Sequence, residues 1–190
     1  MFIISVKGET MRSLPSIKLL LAGTVAAIIA SGSAFAQQKT SFSYTPGPEV
    51  TGKYLQRHSL DVGDVPGHVL ALSEIVTTYP ADKPAPVIAD VRMIEGRAIL
   101  QADFASSNGP VFGYRTFKMA NGDKIFAKTS IVAQTSQVDG KPVTKTFTAD
   151  VIYGGTGKFK NIRGTMTTGS ITNFSSTIPQ PAEFEYYFVE

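Results

Sequence analysis

The sequence has 190 residues, with 18 Lys and Arg against 15 Asp and Glu, which gives a formal net charge of +3. It contains no cysteine and two histidines, which excludes disulfide scaffolds, thiol nucleophiles, iron–sulfur clusters and three-histidine zinc sites. No motif for another metal or for a cofactor is present, so we expect neither.

The first 36 residues have the order of a secretory signal peptide. Arg12 and Lys18 supply positive charge, residues 19–30 form an apolar run, and Ala34-Phe35-Ala36 provides small residues for cleavage. The apolar run is much shorter than the roughly 20 residues that a membrane-crossing helix needs, so a membrane anchor is the weaker alternative. We therefore expect cleavage before Gln37, no membrane span afterwards, and a periplasmic or secreted protein.

Cleavage there leaves 154 of the 190 residues, the size of one domain. It removes three of the 18 basic residues and one of the 15 acidic residues, so the mature chain has a net charge of +1. Such a small net charge gives no support for a nucleic-acid partner. Met11 is an alternative start and would leave the mature chain unchanged.

Residues 37–50 are polar and contain Pro46-Gly47-Pro48, which is typical of a flexible leader, so we assign the domain to 51–190. From residue 68 onward, segments rich in Val, Ile, Thr, Tyr and Phe alternate with turn-forming clusters, and no segment has a helical period. The pattern predicts strands at 68–79, 86–94, 97–104, 111–119, 123–134, 143–153, 162–173 and 182–189, with 54–60 as a possible addition.

The breaks between these segments favour tight hairpins, as at Asn121-Gly122 and Asp139-Gly140. Eight antiparallel strands joined in this way predict an all-β fold, an eight-stranded antiparallel β-barrel, because closure removes exposed sheet edges. A two-sheet sandwich is the alternative. The interior of an eight-stranded barrel is either filled by side chains or holds one small ligand.

Two features that resemble functional motifs are better explained by structure. The cluster from Gly154 to Lys158 lacks the spacing of a phosphate-binding Walker loop, and Phe159 stands where that motif needs Ser or Thr. A hairpin turn explains these glycines better. Neither His58 nor His68 has a motif partner, so each is interpreted as an ordinary surface or strand residue.

The stretch 147–172 resembles the glycine-turn hairpin of the allene oxide cyclase and dirigent superfamily. Residues 113–130 look like its preceding hairpin, residues 183–189 look like its closing aromatic strand, and Ser73-Glu74-Ile75 is similar to the first strand of the cyclases. The resemblance implies a calycin-like eight-stranded barrel with an apolar cavity and no cofactor. It also implies a possible homo-oligomer, since plant members are often trimers. The matching positions are Gly154, Gly155, Thr156, Gly157, Phe159 and Gly164.

Strand alternation places Glu74 on the same face of 68–79 as Leu70 and Leu72. If that face lines the barrel, a carboxylate in an apolar cavity has a raised pKa and can act as acid, base or hydrogen-bond anchor. The resemblance likewise implies a catalytic role for Glu74. The alternative is a rim residue paired with Lys or Arg. Tyr114 is either a cavity hydroxyl or a packing aromatic. The predicted ligand-binding residues are Leu70, Leu72, Glu74 and Tyr114.

The expected function is the binding of a small, largely apolar ligand of lipid-derived, phenolic or polyketide type. A cofactor-free isomerase or cyclase is the first alternative, and an interaction or structural module with a filled core is the second. Allene oxide cyclisation itself is not expected, because Val76 stands where the cyclases have Asn and the chain has no cysteine.

Overall fold

Eleven β-strands and one short 3-10 helix make up the part of the chain that the computed structural model describes, residues 38–173 and 177–190. The predicted signal peptide lies outside the described residues. Within them, no helix is long and apolar enough to cross a membrane. The strands are β1 Thr40–Tyr44, β2 Thr51–Asp61, β3 His68–Thr78, β4 Val87–Ile88, β5 Val91–Ala105, β6 Gly109–Met119, β7 Lys124–Val138, β8 Lys141–Gly155, β9 Ile162–Thr172, β10 Thr177–Pro179 and β11 Ala182–Phe188, and the 3-10 helix η1 spans Gly157–Phe159.

The strands form one antiparallel sheet in the order β1-β11-β9-β8-β7-β6-β5-β3-β2. The short strands β4 and β10 pair with β5 and β9 outside this path. Most neighbours in the sheet are also neighbours in the chain, as expected for hairpin-connected strands. The predicted all-β, antiparallel, barrel-like fold is confirmed, although no pairing between β1 and β2 closes the sheet within the described residues.

Side chains and one connecting segment join β1 and β11 to the other part of the sheet. The hydroxyl of Tyr44 in β1 donates a hydrogen bond to the carbonyl of Pro84, 3.1 Å away, in the segment that follows β3. The hydroxyl of Tyr186 in β11 accepts one from the Ala89 amide at 3.0 Å. Segment 79–90 therefore bridges strands that are far apart in the sheet order.

One face of the sheet carries both core clusters and is called here the inner face; the opposite side is the outer face. The smaller cluster consists of short side chains, Ala71, Ala98, Leu100, Ala102 and Val111. The larger cluster fills one end of the inner face and includes residues from η1 and the β4–β5 hairpin. Its buried members are Ile88, Met93, Phe117, Met119, Ile125, Ala127, Ile152, Phe159, Ile162, Met166, Ala182, Phe184 and Tyr186.

The predicted break at Glu95-Gly96 is wrong, because β5 continues through both residues. The register with β6 shifts between Met93 and Glu95, as at a β-bulge, and glycine within a strand often marks such an irregularity rather than a turn. The actual turn lies at Ala89 and Asp90, both with positive φ, 47° and 63°. Positive φ at two successive residues matches the tight hairpin turns that favour antiparallel strands.

The flexible leader predicted for 37–50 contains a strand, β1. Every residue of β1 pairs with β11, and the ring of Phe42 stacks on Phe184 with 4.6 Å between centroids. Because the residues around Phe42 are polar, the sequence did not indicate this short alternating strand, whose Phe42 ring is partly buried against the core. Only Pro46-Gly47-Pro48 and its neighbours form an irregular connection.

Candidate functional site

The predicted site residues of β3 lie on the outer face of the sheet. Leu70 and Leu72 pair with Asp103 and Gln101 of β5, on the face opposite the core residue Leu100. They are 39% and 54% exposed. The expectation that the leucine face lines the interior is wrong, because the short side chains of the alternate positions, such as Ala71, pack in the core instead.

Glu74 shares this outer face and forms an ion pair with Arg97. Its Oε1 lies 2.7 Å from Nη2 of Arg97; the glutamate side chain is 13% exposed and the arginine side chain 54%. This geometry corresponds to the alternative of a rim residue paired with a basic side chain. It gives no support to a catalytic Glu74 inside a cavity.

Tyr114 is also on the outer face, opposite Ile99 of β5, and is 57% exposed. With Leu72 it lines an open groove of about 530 Å³, and Leu70 and Leu72 line a second groove of about 700 Å³. Small-molecule sites usually enclose most of the ligand surface. Because these grooves lie on an exposed sheet face, neither is a good candidate for an enclosed ligand.

The inner face contains a cavity of about 210 Å³ next to the small-residue cluster. Ala71, Ala102 and Val111 contribute short side chains to its lining, which leaves this space open. At one side Arg57 of the edge strand β2 lies over the ring of Tyr54, with Cζ 5.7 Å from the ring centroid. The full lining is Tyr54, Arg57, Ala71, Ser73, Ile75, Leu100, Ala102, Phe104, Val111, Ile131, Ala133 and Thr146.

The inner face changes character along the sheet, from apolar on β3, β5 and β6 to hydroxyl-rich on β8 and β9. Thr146 and Ser170 are cross-strand partners whose hydroxyl oxygens lie 2.8 Å apart. Thr148, the next inner residue of β8, is buried. A molecule in the cavity therefore meets an apolar wall on one side and Thr146 on the other.

A charged pair is buried between the two core clusters. Nη1 of Arg115 in β6 lies 3.3 Å from Oδ2 of Asp150 in β8. The Asp150 side chain is fully buried and that of Arg115 is 21% exposed. Ala127 of β7, the register partner of Arg115, is a short side chain in the strand between them, which leaves room for the arginine to reach across.

Burial raises the pKa of the Asp150 carboxyl from 3.8 to about 6, and the neighbouring Arg115 charge partly opposes that rise. Three buried polar atoms at this place have no hydrogen-bond partner among the described residues: Arg115 Nε, Asp150 Oδ1 and Thr129 Oγ1. Thr129 is the direct cross-strand partner of Asp150. Buried polar atoms are almost always paired, so this cluster is the strongest candidate for a polar contact with a ligand.

Arg115 also lines a second inner cavity of about 90 Å³. The two cavities share Ile75 and Leu100 in their walls, so they lie on either side of the same two side chains. The buried charged pair and the apolar cavity are thus neighbouring parts of one interior.

The distribution of apolar residues in the sequence gives no indication that Asp150 and Arg115 lie in the interior. In β8 the alternate set Phe147, Val151 and Tyr153 is more apolar than the set that contains Asp150, and such a pattern predicts the reverse orientation. Asp150 is in register with Thr129 of β7 and Met166 of β9, and this placement becomes visible only once the strand pairing is known.

His68 lies between two carboxylates near the β2–β3 turn. Its Nδ1 is 2.6 Å from Asp64 Oδ1 and its Nε2 is 2.7 Å from Asp103 Oδ1. The hydrogen bond to Asp103 and then that to Asp64 raise the pKa of the histidine. Within the described residues, no group of three or more His, Cys, Asp or Glu side chains is arranged to hold a metal ion.

The glycine cluster forms the connection between β8 and β9 and contains η1. The Asp123 carboxylate accepts a hydrogen bond from the Lys158 amide at 3.0 Å, and Lys158 Nζ donates to the Ala89 carbonyl at 2.5 Å. A carboxylate at the amide is unfavourable for a phosphate. The geometry corresponds to the predicted turn.

No protein-family model matches the chain, and no curated protein matches it. Among solved structures, the chain is similar to a pterocarpan synthase dirigent protein, with a TM-score of 0.37 and 14% identity over 80% of this chain and 90% of that one. A likeness at this level carries no argument about function, so membership of the dirigent and allene oxide cyclase superfamily stays a prediction.

Proposed function

We propose that the chain is exported and that its β domain binds a small, largely apolar molecule in the inner cavity. The observation that carries this proposal is the cavity of about 210 Å³ beside the small-residue cluster. The cavity borders the exposed edge strand β2, where Tyr54 is 56% exposed, so a small molecule can enter it from solvent. A cavity walled mainly by apolar side chains, with a few polar groups at its edge, is typical of a ligand site.

Mass spectrometry of compounds extracted from natively purified protein tests ligand binding. We expect a small apolar compound to copurify with the wild type and to be lost from Ala102→Leu, which fills the cavity. Ala149→Leu, a matched change on the outer face, should retain it. No enriched compound, or equal retention by both variants, would contradict the proposal.

Intact-mass measurement of exported material tests export. The mature N-terminus is expected at Gln37 or within a few residues of it, which leaves all of β1 in the mature protein because that strand begins at Thr40. Exported protein that retains Met1 or Met11 would contradict this part of the proposal.

A cofactor-free isomerase or cyclase is a second candidate, favoured by the buried Asp150 carboxyl. A carboxyl with a pKa of about 6 is suited to proton transfer near neutral pH. An isomerase should yield the extracted compound as two isomers, with the second isomer absent from Asp150→Asn. A single compound in both proteins would favour a binding protein.

The interaction-module alternative is favoured by the outer face, where nine large apolar side chains are each at least 39% exposed. We call this set the outer patch and propose that a second copy of the chain covers it. Its exposed apolar area is on the order of 1,000 Å², which is comparable to one side of a standard protein interface. The members are Leu70, Leu72, Ile99, Phe112, Tyr114, Val132, Phe147, Val151 and Tyr153.

A further inference from the structure

The three unpartnered atoms of the buried cluster differ in what they can bind. Nε of Arg115 carries a hydrogen and donates, Oδ1 of an ionised Asp150 accepts, and the Thr129 hydroxyl does either. All three belong to the inner face, on the successive strands β6, β7 and β8. A single group that satisfies them must both accept and donate hydrogen bonds.

The charge of the cluster limits which chemical groups can bind there. Arg115 and Asp150 already balance one another across 3.3 Å, so a buried anion would leave the site with a net negative charge and a buried cation with a net positive one. Unpaired buried charge is strongly unfavourable. A neutral hydroxyl accepts from Arg115 and donates to Asp150 without adding charge.

The surrounding space is consistent with such a group. Arg115 borders open space on the inner face, because it lines the cavity of about 90 Å³. The cavity of about 90 Å³ that Arg115 lines adjoins the larger cavity at Ile75 and Leu100. An apolar body that extends from the larger cavity past Ile75 and Leu100 into the smaller one would therefore place its end beside Arg115.

We propose that Arg115, Thr129 and Asp150 form a subsite for a hydroxyl group carried by the otherwise apolar ligand. This inference rests on the proposed function and adds the polar chemistry of the ligand to it. The hydroxyl oxygen accepts the Arg115 Nε hydrogen, and its own hydrogen is donated to Asp150 or Thr129.

Three aromatic probes of similar size test this subsite by fluorescence titration of the purified chain at pH 7: 2-naphthol, naphthalene and 2-naphthoate. We expect 2-naphthol to bind about tenfold more tightly than naphthalene, because a site that hydrogen-bonds a hydroxyl rejects an analogue without it. If the cavity offered only an apolar environment, naphthalene would bind more tightly than 2-naphthol. The anion 2-naphthoate should bind more weakly than 2-naphthol.

Variants at Thr129 separate a ligand contact from a structural role. Thr129→Val should reduce the ratio of the affinities for 2-naphthol and naphthalene. Thr129→Ser should preserve this affinity ratio, and Thr165→Val on the outer face should leave it unchanged. If Thr129→Val does not fold, nitrogen NMR of wild-type Arg115 provides the same test: its Nε resonance should shift with 2-naphthol and not with naphthalene.

The outcomes distinguish the two proposals. Equal binding of 2-naphthol and naphthalene, an unchanged ratio in Thr129→Val, or a bound water that 2-naphthol does not displace would overturn the hydroxyl subsite while leaving cavity binding intact. Failure of all three probes to bind, together with no compound extracted from native protein, would overturn both.

Discussion

Arg115 on β6 and Asp150 on β8 meet across the intervening strand β7, with Nη1 of the arginine 3.3 Å from Oδ2 of the aspartate. Burial of Asp150 raises its pKa from 3.8 to about 6, so the folded protein retains a proton that the unfolded chain releases in this range. The contribution of Asp150 to the free energy of unfolding therefore falls as pH rises from about 4 to about 6. The total loss corresponds to roughly 3 kcal/mol.

Asp150→Asn removes the carboxyl group whose protonation makes the stability depend on pH in this range. Urea unfolding at pH 4 and pH 7 should show that the free energy of unfolding of the variant rises by roughly 2 kcal/mol relative to that of the wild type between the two pH values. Asp139→Asn, an exposed turn position, is the matched control and should not show this gain. A difference between wild type and Asp150→Asn that is constant with pH would show that Asp150 does not titrate in this range.

Glu74→Gln should lower thermal stability only slightly: the Glu74 side chain is 13% exposed, but its partner Arg97 is 54% exposed and solvated, which weakens the ion pair. Exposed ion pairs contribute about 0–1 kcal/mol. Melting curves of Glu74→Gln and Arg97→Gln should be nearly alike, and both variants should retain the extracted compound. Loss of that compound in Glu74→Gln alone would restore Glu74 as a site residue.

Gly157→Val should strongly destabilise the fold. Gly157 has φ of +48°, and a Cβ there would lie 2.1 Å from Asp123 Oδ1, so both the backbone and the neighbouring carboxylate oppose a side chain. Lys158→Ala removes only an exposed hydrogen bond to the Ala89 carbonyl and should cost about 1 kcal/mol or less. Chemical unfolding of both variants measures the difference, and equal losses would be inconsistent with this role for Gly157.

Tyr114→Glu should separate the proposed assembly into monomers, because it places a charge within the outer patch. Sedimentation velocity at several protein concentrations measures the effect. Thr51→Glu lies on the outer face of the edge strand β2, paired with Thr78 and away from the patch, and should leave the assembly intact. A wild-type protein that is monomeric at all concentrations would contradict the proposal of a second copy.

The strand positions and most turns were predictable from the sequence, because period-two alternation and turn residues are local signals. The two faces of β3 were also separated correctly, with Leu70, Leu72 and Glu74 together. Which face is buried was not predictable, since the outer positions of several strands carry larger apolar side chains than the inner ones. The convergence of Arg115, Thr129 and Asp150 depends on the register of three strands, which local pattern does not contain.

The turn predicted at Glu95-Gly96 is wrong for the same reason, because local pattern does not contain the strand pairing. Glycine is common in hairpin turns and also at bulges within strands, and only the pairing of β5 with β3 through this point distinguishes them. The strand within 37–50 was missed because its five residues become recognisable only beside β11.

The pairing of β1 with β11 also has a consequence for the kinetics of folding. Lys39 and Glu185, whose side chains meet beside these strands, are 146 residues apart in the chain, whereas most other strand pairs are hairpins between successive strands. Distant contacts require the loss of loop-closure entropy before any pairing energy is gained, and a high mean sequence separation slows folding. The hairpins can therefore form early and independently. The pairing of β1 with β11 should form last and limit the rate at which the native state is reached.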